Sequence, residues 1–241
     1  MRLSIVIPAY NEQDYLPDCL RHVLAEVARC PDPAGVEVLV VDNASTDDTA
    51  AVAAAFPGVR VVHEARKGLT RARQAGLEAA RGEVLGFVDA DTRMPPGWIA
   101  AVLAGFAADP HVVCVSGPYI YHDAPMAQRV MVRLYWVLLA MPAYWMTRYM
   151  AVGGNFAASR DALLRIGGFD TAIAFYGEDT NIARRLAAAG RVRFLLRLAM
   201  PTSSRRLAAE GMAATAMTYM ANFLSEVVLK RPVTRGYRDI R

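Results

Sequence analysis

Two carboxylates stand one residue apart at the end of an apolar segment. Residues 84–88, VLGFV, are followed by Asp89, Ala90 and Asp91. Carboxylate oxygens are the ligands that Mg²⁺ and Mn²⁺ take in proteins. Because two negative charges this close repel each other without a nearby cation, the pair predicts a divalent metal site. On this motif alone an alternative stays open, in which one aspartate caps a helix and the other faces water.

Further polar residues follow two other apolar segments. Tyr10 and Glu12 come after residues 3–7, and Asp42 comes directly after residues 36–41. A carboxylate in the position of Asp42 can accept hydrogen bonds from a nucleobase or a ribose hydroxyl, as acidic residues do in dinucleotide-binding folds. The glycine-rich motif of those folds does not follow the first segment, so the pattern does not indicate a dinucleotide-binding protein.

Four cations surround the predicted start of a helix at Gly68: Arg66, Lys67, Arg71 and Arg73. The backbone dipoles at a helix N-terminus favour anions, so cations placed there oppose the dipole. A bound phosphate would relieve that conflict. A solvated basic turn is the alternative interpretation.

Two more charged pairs precede predicted helices in the second half of the chain. Glu178 and Asp179 either stabilise a helix N-terminus or include a general base that takes a proton from an attacking hydroxyl. Arg205 and Arg206 are either surface arginines behind a helix cap or ligands for a diphosphate, which paired guanidinium groups suit.

Continuous apolar segments alternate with helical segments in the first half, which predicts a doubly wound α/β fold. The predicted strands are residues 3–7, 36–41, 59–62 and 84–88, and the predicted helices between them are 13–29, 46–55 and 68–80. Strands without polar alternation are buried on both faces, as in a parallel sheet. Since ligands bind at the carboxyl ends of such strands, Tyr10, Asp42 and Asp89 are expected to share one rim.

The second half is less regular, and no linker marks a second domain. We expect a helix from residues 95–97 to 107, a strand at 112–121, a long aromatic-rich helix at 126–149 and a loop at 153–156. Further helices are expected at 178–189 and 207–229. One domain over residues 1–241 follows from this pattern.

The composition is that of an ordinary globular protein. Of 241 residues, 54% are hydrophobic and 21% are charged, which excludes a disordered chain. The net charge of +4 is mild and does not indicate a nucleic-acid partner. Three cysteines and four histidines show no metal-ligand or disulfide spacing, so a cytoplasmic protein is expected. Residues 134–146 are apolar but shorter than the roughly 20 residues that cross a bilayer, so they suggest at most peripheral contact with the inner membrane face.

Six motifs together resemble the family-2 glycosyltransferases of the GT-A fold. They run in the family's order over about residues 3–190 and read SIVIPAYNE (4–12), VVDNASTD (40–47), RKG with ARQAG (66–68 and 72–76), FVDAD (87–91), GGNF (153–156) and GED (177–179). The resemblance implies an inverting transfer of a sugar from a nucleoside-diphosphate sugar, with UDP the favoured nucleotide, to an acceptor hydroxyl.

The resemblance also assigns roles to individual residues and divides the single domain. Residues 1–118 would form the nucleotide-sugar-binding half, 119–206 the acceptor and catalytic half, and 207–241 a C-terminal helix and tail. The implied catalytic residues are the base Asp179 and its neighbour Glu178. The implied donor-binding residues are Pro8, Tyr10, Glu12, Asp42, Lys67, Arg71 and Asp89, and the implied ligand of Mg²⁺ or Mn²⁺ is Asp91. The residue types themselves add Arg205 and Arg206 to the donor site and Asp89 to the metal site.

The chain departs from the family's pattern in two places. It lacks the Q-x-x-R-W motif of the processive synthases, so transfer of one sugar at a time is expected. Some relatives place a metal-binding histidine after the base, but no histidine follows His122, and residues 203–206 stand there instead. The acceptor stays open among a glycan, a small molecule and a lipid-linked molecule.

Two other functions compete with transfer. A nucleotidyltransferase that makes nucleotide sugars would carry a glycine-rich phosphate loop after its first strand, and residues 8–12 are not one. A non-catalytic nucleotide-sugar-binding protein would not need Asp179.

Overall fold

The computed structural model describes residues 2–173, 175–230 and 234, without the side chains of residues 212 and 213. The strands are β1 Leu3–Ala9, β2 Val36–Asp42, β3 Val59–His63, β4 Val84–Val88, β5 Val112–Ser116, β6 Tyr119–Tyr121, β7 Asn155–Ser159, β8 Arg191–Phe194 and β9 Met200–Thr202. The helices are α1 Leu16–Val27, α2 Thr49–Ala54, α3 Leu69–Ala79, α4 Trp98–Ala107, α5 Met126–Tyr135, α6 Met141–Thr147, α7 Arg160–Arg165, α8 Glu178–Ala187, α9 Arg205–Glu210 and α10 Met212–Leu229.

Seven strands form one sheet in the order β3-β2-β1-β4-β7-β5-β8. Strand β7 runs antiparallel to both of its neighbours, whereas the other pairs in this sheet are parallel. A second, two-stranded sheet joins β6 to β9. The predicted α/β fold with a mostly parallel sheet and flanking helices is therefore confirmed. Because β1, β2 and β4 are parallel and adjacent, their carboxyl ends meet at one rim.

The central strands consist almost entirely of apolar residues because helices cover both faces of the sheet. Every residue of β1 and β4 is buried. Along β1, Ile5 and Ile7 belong to a core cluster that includes α1 and α4, while Val6 between them belongs to a cluster that includes α3, α7 and α8. Alternate side chains of one strand thus reach opposite layers. This packing holds the strand ends rigidly in place.

The predicted loop at 153–156 is wrong in its second half, because β7 begins at Asn155. The Asn155 side chain is fully buried and is nevertheless satisfied. Its Oδ1 accepts a bond from Trp98 Nε1 at 2.9 Å, and its Nδ2 donates to the carbonyls of Leu198 at 2.7 Å and Pro118 at 3.2 Å. A polar residue that joins three distant segments has no signature in the local sequence.

Other boundaries also differ from the sequence-based expectation. The strand predicted at 112–121 is divided at Gly117 and Pro118 into β5 and β6, since a Cβ at Gly117 would lie 2.2 Å from the Leu198 carbonyl oxygen. The last predicted helix is interrupted at Gly211, whose φ of +82° favours glycine. Strands β8 and β9 and helix α7 were not predicted at all.

The aromatic-rich segment forms one continuous helix, Met126–Thr147, composed of α5, a π-helical turn at Trp136–Ala140 and α6. The wider turn precedes Pro142, whose ring would collide with the preceding turn of a regular helix. The helix has 22 residues, its most apolar 18-residue window has a mean hydropathy of 1.2, and only 6% of that window is buried. By length and composition it could cross a membrane. The helix is therefore longer than the apolar segment expected at 134–146.

Asn155→Ala is expected to lower the free energy of unfolding by about 3 kcal/mol, because it leaves one N–H and two carbonyl groups buried without their partner. Urea denaturation at an unchanged m-value measures this loss. Trp98→Phe removes only one of these three hydrogen bonds. The lost hydrogen bonding should therefore lower the free energy of unfolding less than it does in Asn155→Ala. A midpoint for Asn155→Ala equal to that of the unaltered protein would contradict the assigned network.

Candidate active site

A polar pocket of about 150 Å³ lies at the rim where β1 and β4 end. Of the residues proposed from the sequence, it brings together Pro8, Tyr10, Glu12, Lys67, Asp89, Asp91, Arg205 and Arg206. Asp42 and Arg71 are not among its lining residues. Glu178 and Asp179 line an adjoining, larger cavity, and Asp89 lines both. The structure thus assembles most of the predicted set around two connected cavities.

Arg205 joins two carboxylates from different strand ends. Its guanidinium makes a bidentate pair with Glu12, at 2.6 and 2.9 Å, and its Nε lies 3.0 Å from Asp91 Oδ2. Burial raises the pKa of Asp91, and Arg205 opposes that shift. Burial disfavours the charge on Arg205, but Glu12 and Asp91 outweigh it and raise the arginine pKa. Arg205 therefore remains charged between its two partners.

Arg73 joins a second pair of carboxylates and was not proposed as a site residue. It is 1% exposed, with Nη2 3.5 Å from Asp89 and Nη1 3.4 Å from Glu178. Its Nε has no partner within the described residues. The sequence does contain a signal: Arg73 lies on the stripe of α3 that also carries Thr70 and Leu77, both buried. A charged residue on a buried stripe requires a carboxylate partner.

The predicted repulsion between Asp89 and Asp91 needs correction. Each carboxylate already has an arginine within 3.5 Å, Arg73 for Asp89 and Arg205 for Asp91. Asp89 also accepts a 2.7 Å hydrogen bond from the Tyr119 hydroxyl. Burial is the largest cause that raises the pKa of Tyr119, and the nearby Asp89 carboxylate raises it further. The spacing of the two acids alone therefore does not require a metal ion.

The glycines of the GGNF motif make room for these contacts. A Cβ at Gly154 would lie 2.0 Å from the Tyr119 hydroxyl oxygen and 2.1 Å from the carboxyl carbon of Asp89. A Cβ at Gly153 would lie 2.7 Å from Arg73 Nη2. Any larger residue at Gly154 would displace Asp89 from the rim.

The basic segment before α3 is held by one asparagine. The Asn43 side chain donates to the carbonyls of Glu64 and Arg66 and accepts the N–H of Gly68 at 2.7 Å. Lys67 places its ammonium 3.8 Å from the centre of the Tyr10 ring. Lys67 therefore lines the polar pocket, next to the aromatic ring.

The other predicted polar residues near this segment point elsewhere. Arg66 forms an exposed ion pair with Glu64. Asp42 accepts the Ser45 N–H at 3.2 Å and contacts His63 Nδ1 at 3.1 Å. Asp42 thus orders the loop behind the pocket.

Arg206 lies over the Phe175 ring at 4.6 Å, within the pocket wall.

Asp179 stands in the first turn of α8. Its Oδ1 accepts the N–H of Thr180 at 2.7 Å, and its neighbour Glu178 contacts the buried Arg73. Burial and the adjacent Glu178 charge raise the pKa of Asp179 to about 7. A carboxyl group with such a pKa changes its protonation near neutral pH, as a general base requires.

The larger cavity measures about 520 Å³ and opens beside Asp179. Its walls come from the helix Met126–Thr147, from the segment 150–154 and from α10. The aromatic-rich helix predicted at 126–149 contributes two aromatic side chains to the lining, those of Tyr135 and Trp136. The cavity adjoins the polar pocket, and Asp89 lines both.

The rim has an incomplete set of metal ligands. Asp89 and Asp91 supply hard oxygen ligands in the pocket, but the described residues hold no group of three or more His, Cys, Asp or Glu side chains suited to a metal. Such a donor set fits Mg²⁺ or Mn²⁺ only where a bound diphosphate provides further oxygens.

Comparison with solved structures defines the fold. The chain superposes on the mannosyltransferase PcManGT from Pyrobaculum calidifontis, solved with GDP-Man and Mn²⁺, with a TM-score of 0.70 and 24% identity over 95% of this chain and 63% of that one. It also superposes on the glucosyl-3-phosphoglycerate synthase from Mycobacterium tuberculosis, solved with Mn²⁺, UDP-Glc and phosphoglyceric acid, with a TM-score of 0.59 and 23% identity over 93% and 79%. The fold is that of the GT-A glycosyltransferases.

Sequence comparison then gives the family. Residues 4–167 match the model of glycosyl transferase family 2, and the chain belongs to this family. It is 34% identical over 127 residues to the glycosyltransferase GlyG of Streptococcus pneumoniae, which is 51% of this chain and 40% of that protein. It is 38% identical over 118 residues to an undecaprenyl-phosphate 4-deoxy-4-formamido-L-arabinose transferase of Sodalis glossinidius, 46% of this chain and 36% of that protein. The chain thus spans about two fifths of these relatives.

Arg73→Met should lower the free energy of unfolding by about 3–5 kcal/mol, because Asp89 and Glu178 lose a buried cationic partner. The matched control is Arg66→Met, which breaks an exposed arginine–carboxylate pair and should cost less than about 1 kcal/mol. Urea denaturation of both variants measures the difference. Equal losses for the two variants would show that Arg73 does not hold the site together.

Proposed function

We propose that the protein is an inverting glycosyltransferase that moves a sugar from a nucleoside-diphosphate sugar, with UDP favoured, to an acceptor hydroxyl. One observation carries this proposal: a carboxyl group with a pKa of about 7, Asp179, stands in the cavity that adjoins the polar rim pocket. A general base must lie where the donor and the acceptor meet.

The donor site is the polar pocket. Tyr10 provides an aromatic wall suited to a nucleobase, and Lys67, Arg205 and Arg206 supply positive charge suited to a diphosphate. The solved neighbours carry GDP-Man and UDP-Glc, which supports a nucleotide sugar as the class of donor. Asp42 and Arg71 stay outside the pocket lining, so their predicted roles require the nucleotide to extend toward the loop after β2.

Asp91, with Asp89 beside it, would hold a divalent cation together with the donor diphosphate. Such a cation neutralises negative charge on a diphosphate leaving group. Both solved neighbours contain Mn²⁺, which supports this part of the proposal. Arg205 already contacts Asp91, so it is the side chain that must share this carboxylate when a cation binds.

The transfer takes place in a single displacement. The acceptor oxygen forms a bond with the anomeric carbon as the bond from that carbon to the diphosphate oxygen breaks. Asp179 takes the acceptor proton, and the nucleoside diphosphate leaves with the electron pair. Because the acceptor attacks from the face opposite the leaving group, the configuration inverts. Arg73 holds Asp89 and Glu178 in place on either side of this junction.

Asp179→Asn is expected to lower kcat/KM about 10²–10⁴-fold, since an amide cannot accept the proton. The raised pKa means that Asp179 is neutral in acid and becomes the carboxylate base as the pH rises through about 7. The unaltered enzyme should therefore gain activity across that interval, and the variant should lose this step. Release of nucleoside diphosphate from UDP-, GDP- and dTDP-sugars, measured from pH 5 to 9, provides the profiles.

Asp161→Asn is the matched control, because Asp161 is an exposed aspartate on α7. It should retain both the rate and the profile of the unaltered protein. Full turnover by Asp179→Asn would instead favour a nucleotide-sugar-binding protein or a different base.

Asp91→Ala is expected to abolish the part of UDP binding that depends on Mn²⁺. Calorimetric titration of UDP with and without Mn²⁺ measures this, and the unaltered protein should bind at least about tenfold more tightly with the ion, a difference of about 1.4 kcal/mol. Asp161→Ala should behave like the unaltered protein. An ion effect that survives in Asp91→Ala would place the cation on other ligands.

A further inference from the structure

The charged residues of the cavity beside Asp179 lie together in one part of its wall. Its charged lining residues are Arg73, Asp89, Glu178 and Asp179, all at the catalytic junction. The remaining walls are mainly apolar side chains from the helix Met126–Thr147 and α10, among them Met131, Trp136, Leu139, Met220 and Phe223. At about 520 Å³ it is more than three times the volume of the donor pocket. A cavity of this polarity suits an amphiphile with its head group at Asp179.

The outside of the same helix is also apolar. Val130, Leu134, Val137, Leu138 and Met146 are between 45% and 86% exposed, and we call these five residues the outer face. On the neighbouring α10, residues 217, 228 and 229 add side chains that are at least 58% exposed. An exposed apolar surface of this extent marks a contact with a membrane or a partner.

The charges on these helices favour a membrane. The segment 126–148 contains Arg129, Arg133 and Arg148 and no acidic residue. The single acid of α10, Glu226, is fully buried and is paired with Arg184. A surface that combines apolar side chains with arginines and lacks exposed acids is complementary to a bilayer that contains anionic lipids.

The inner side of the helix is anchored to the domain, so the helix lies on a membrane rather than across it. Trp136 Nε1 donates to the carbonyl of Tyr119 at 2.9 Å, and the Trp136 ring stacks on Phe194 at 5.5 Å. The Tyr144 hydroxyl donates to the carbonyl of Val192 at 3.1 Å. These contacts leave the outer face available to a bilayer.

We propose that the acceptor is a membrane lipid whose head group presents its hydroxyl to Asp179 while its hydrocarbon chain occupies the apolar cavity. This inference rests on the proposed glycosyltransferase function. The lipid oxygen bonds to the anomeric carbon, the bond to the diphosphate breaks, and Asp179 takes the proton. The outer face holds the enzyme on the membrane, so the lipid enters the cavity between the helix Met126–Thr147 and α10 directly from the bilayer.

The first experiment tests the outer face by sedimentation with vesicles. Vesicles of phosphatidylcholine with 30% phosphatidylglycerol should bind the protein, and vesicles of phosphatidylcholine alone should bind it more weakly, by about tenfold at low salt. The double variant V137E/L138E should lose most of this binding. Leu164→Glu is the matched control, because Leu164 is an exposed leucine on α7, and it should bind like the unaltered protein.

The second experiment tests the cavity with brominated dodecyl maltoside below its micelle concentration. In a Trp145→Phe background the remaining tryptophans are Trp98, which is 1% exposed in the core, and Trp136, which lines the cavity. The bromines should quench about half of the fluorescence through Trp136. Ala143→Phe or Ala216→Phe, which fill the cavity from opposite walls, should each reduce this quenching while UDP binding stays intact.

Each outcome decides the proposal. Absent quenching, quenching that persists in both filled variants, or equal binding of all variants to vesicles overturns it. Self-association that buries the outer face without vesicle binding, seen by sedimentation velocity, also overturns it and identifies a second copy as the occupant. UDP binding with no lipid binding refutes this inference alone, whereas lipid binding with full turnover by Asp179→Asn refutes the proposed function instead.

Discussion

The distribution of charge at the rim is the constraint on which the rest of the site depends. Two guanidinium groups, the buried one of Arg73 and the partly buried one of Arg205, face four carboxylates, those of Asp89, Glu178, Glu12 and Asp91. Buried ion pairs are tolerated only where geometry and further hydrogen bonds compensate for lost hydration. Each arginine therefore fixes two segments of chain together. The pocket wall carries three acids, Glu12, Asp89 and Asp91, and three cations, Lys67, Arg205 and Arg206.

The sheet makes this arrangement possible. Strands β1 and β4 are parallel neighbours, so Glu12 and Asp91 leave the sheet at the same edge, where one guanidinium reaches both. Antiparallel β7 then brings the backbone of Gly153 and Gly154 against Asp89 and Arg73. Asn155 binds this strand to α4 and to the segment before β9. The ligand pocket is thus a consequence of strand order, and the apolar core keeps its charges at fixed separations.

The sequence predicts the parts of this structure that depend on local pattern. Continuous apolar segments identified β1 to β4, and their polar ends identified the rim residues Tyr10, Glu12, Asp89 and Asp91. The ion pairs could not be predicted, because Arg73 and Glu178 are 105 residues apart, and Arg205 and Glu12 are 193 apart. Local pattern carries no information on such distant partners. The same reason explains why Asn155 was taken for a loop residue when it is the fully bonded start of a strand.

The two cavities differ in chemistry, and that difference explains the position of Asp179. The donor pocket is lined by charges suited to a diphosphate, which binds well only where cations replace its hydration. The larger cavity is lined mainly by apolar side chains, and its charged residues Arg73, Asp89, Glu178 and Asp179 lie together. A carboxyl group at this boundary loses part of its hydration, which together with Glu178 raises the pKa of Asp179 to about 7. The surroundings proposed to receive a lipid chain therefore also contribute to the raised pKa of the proposed base.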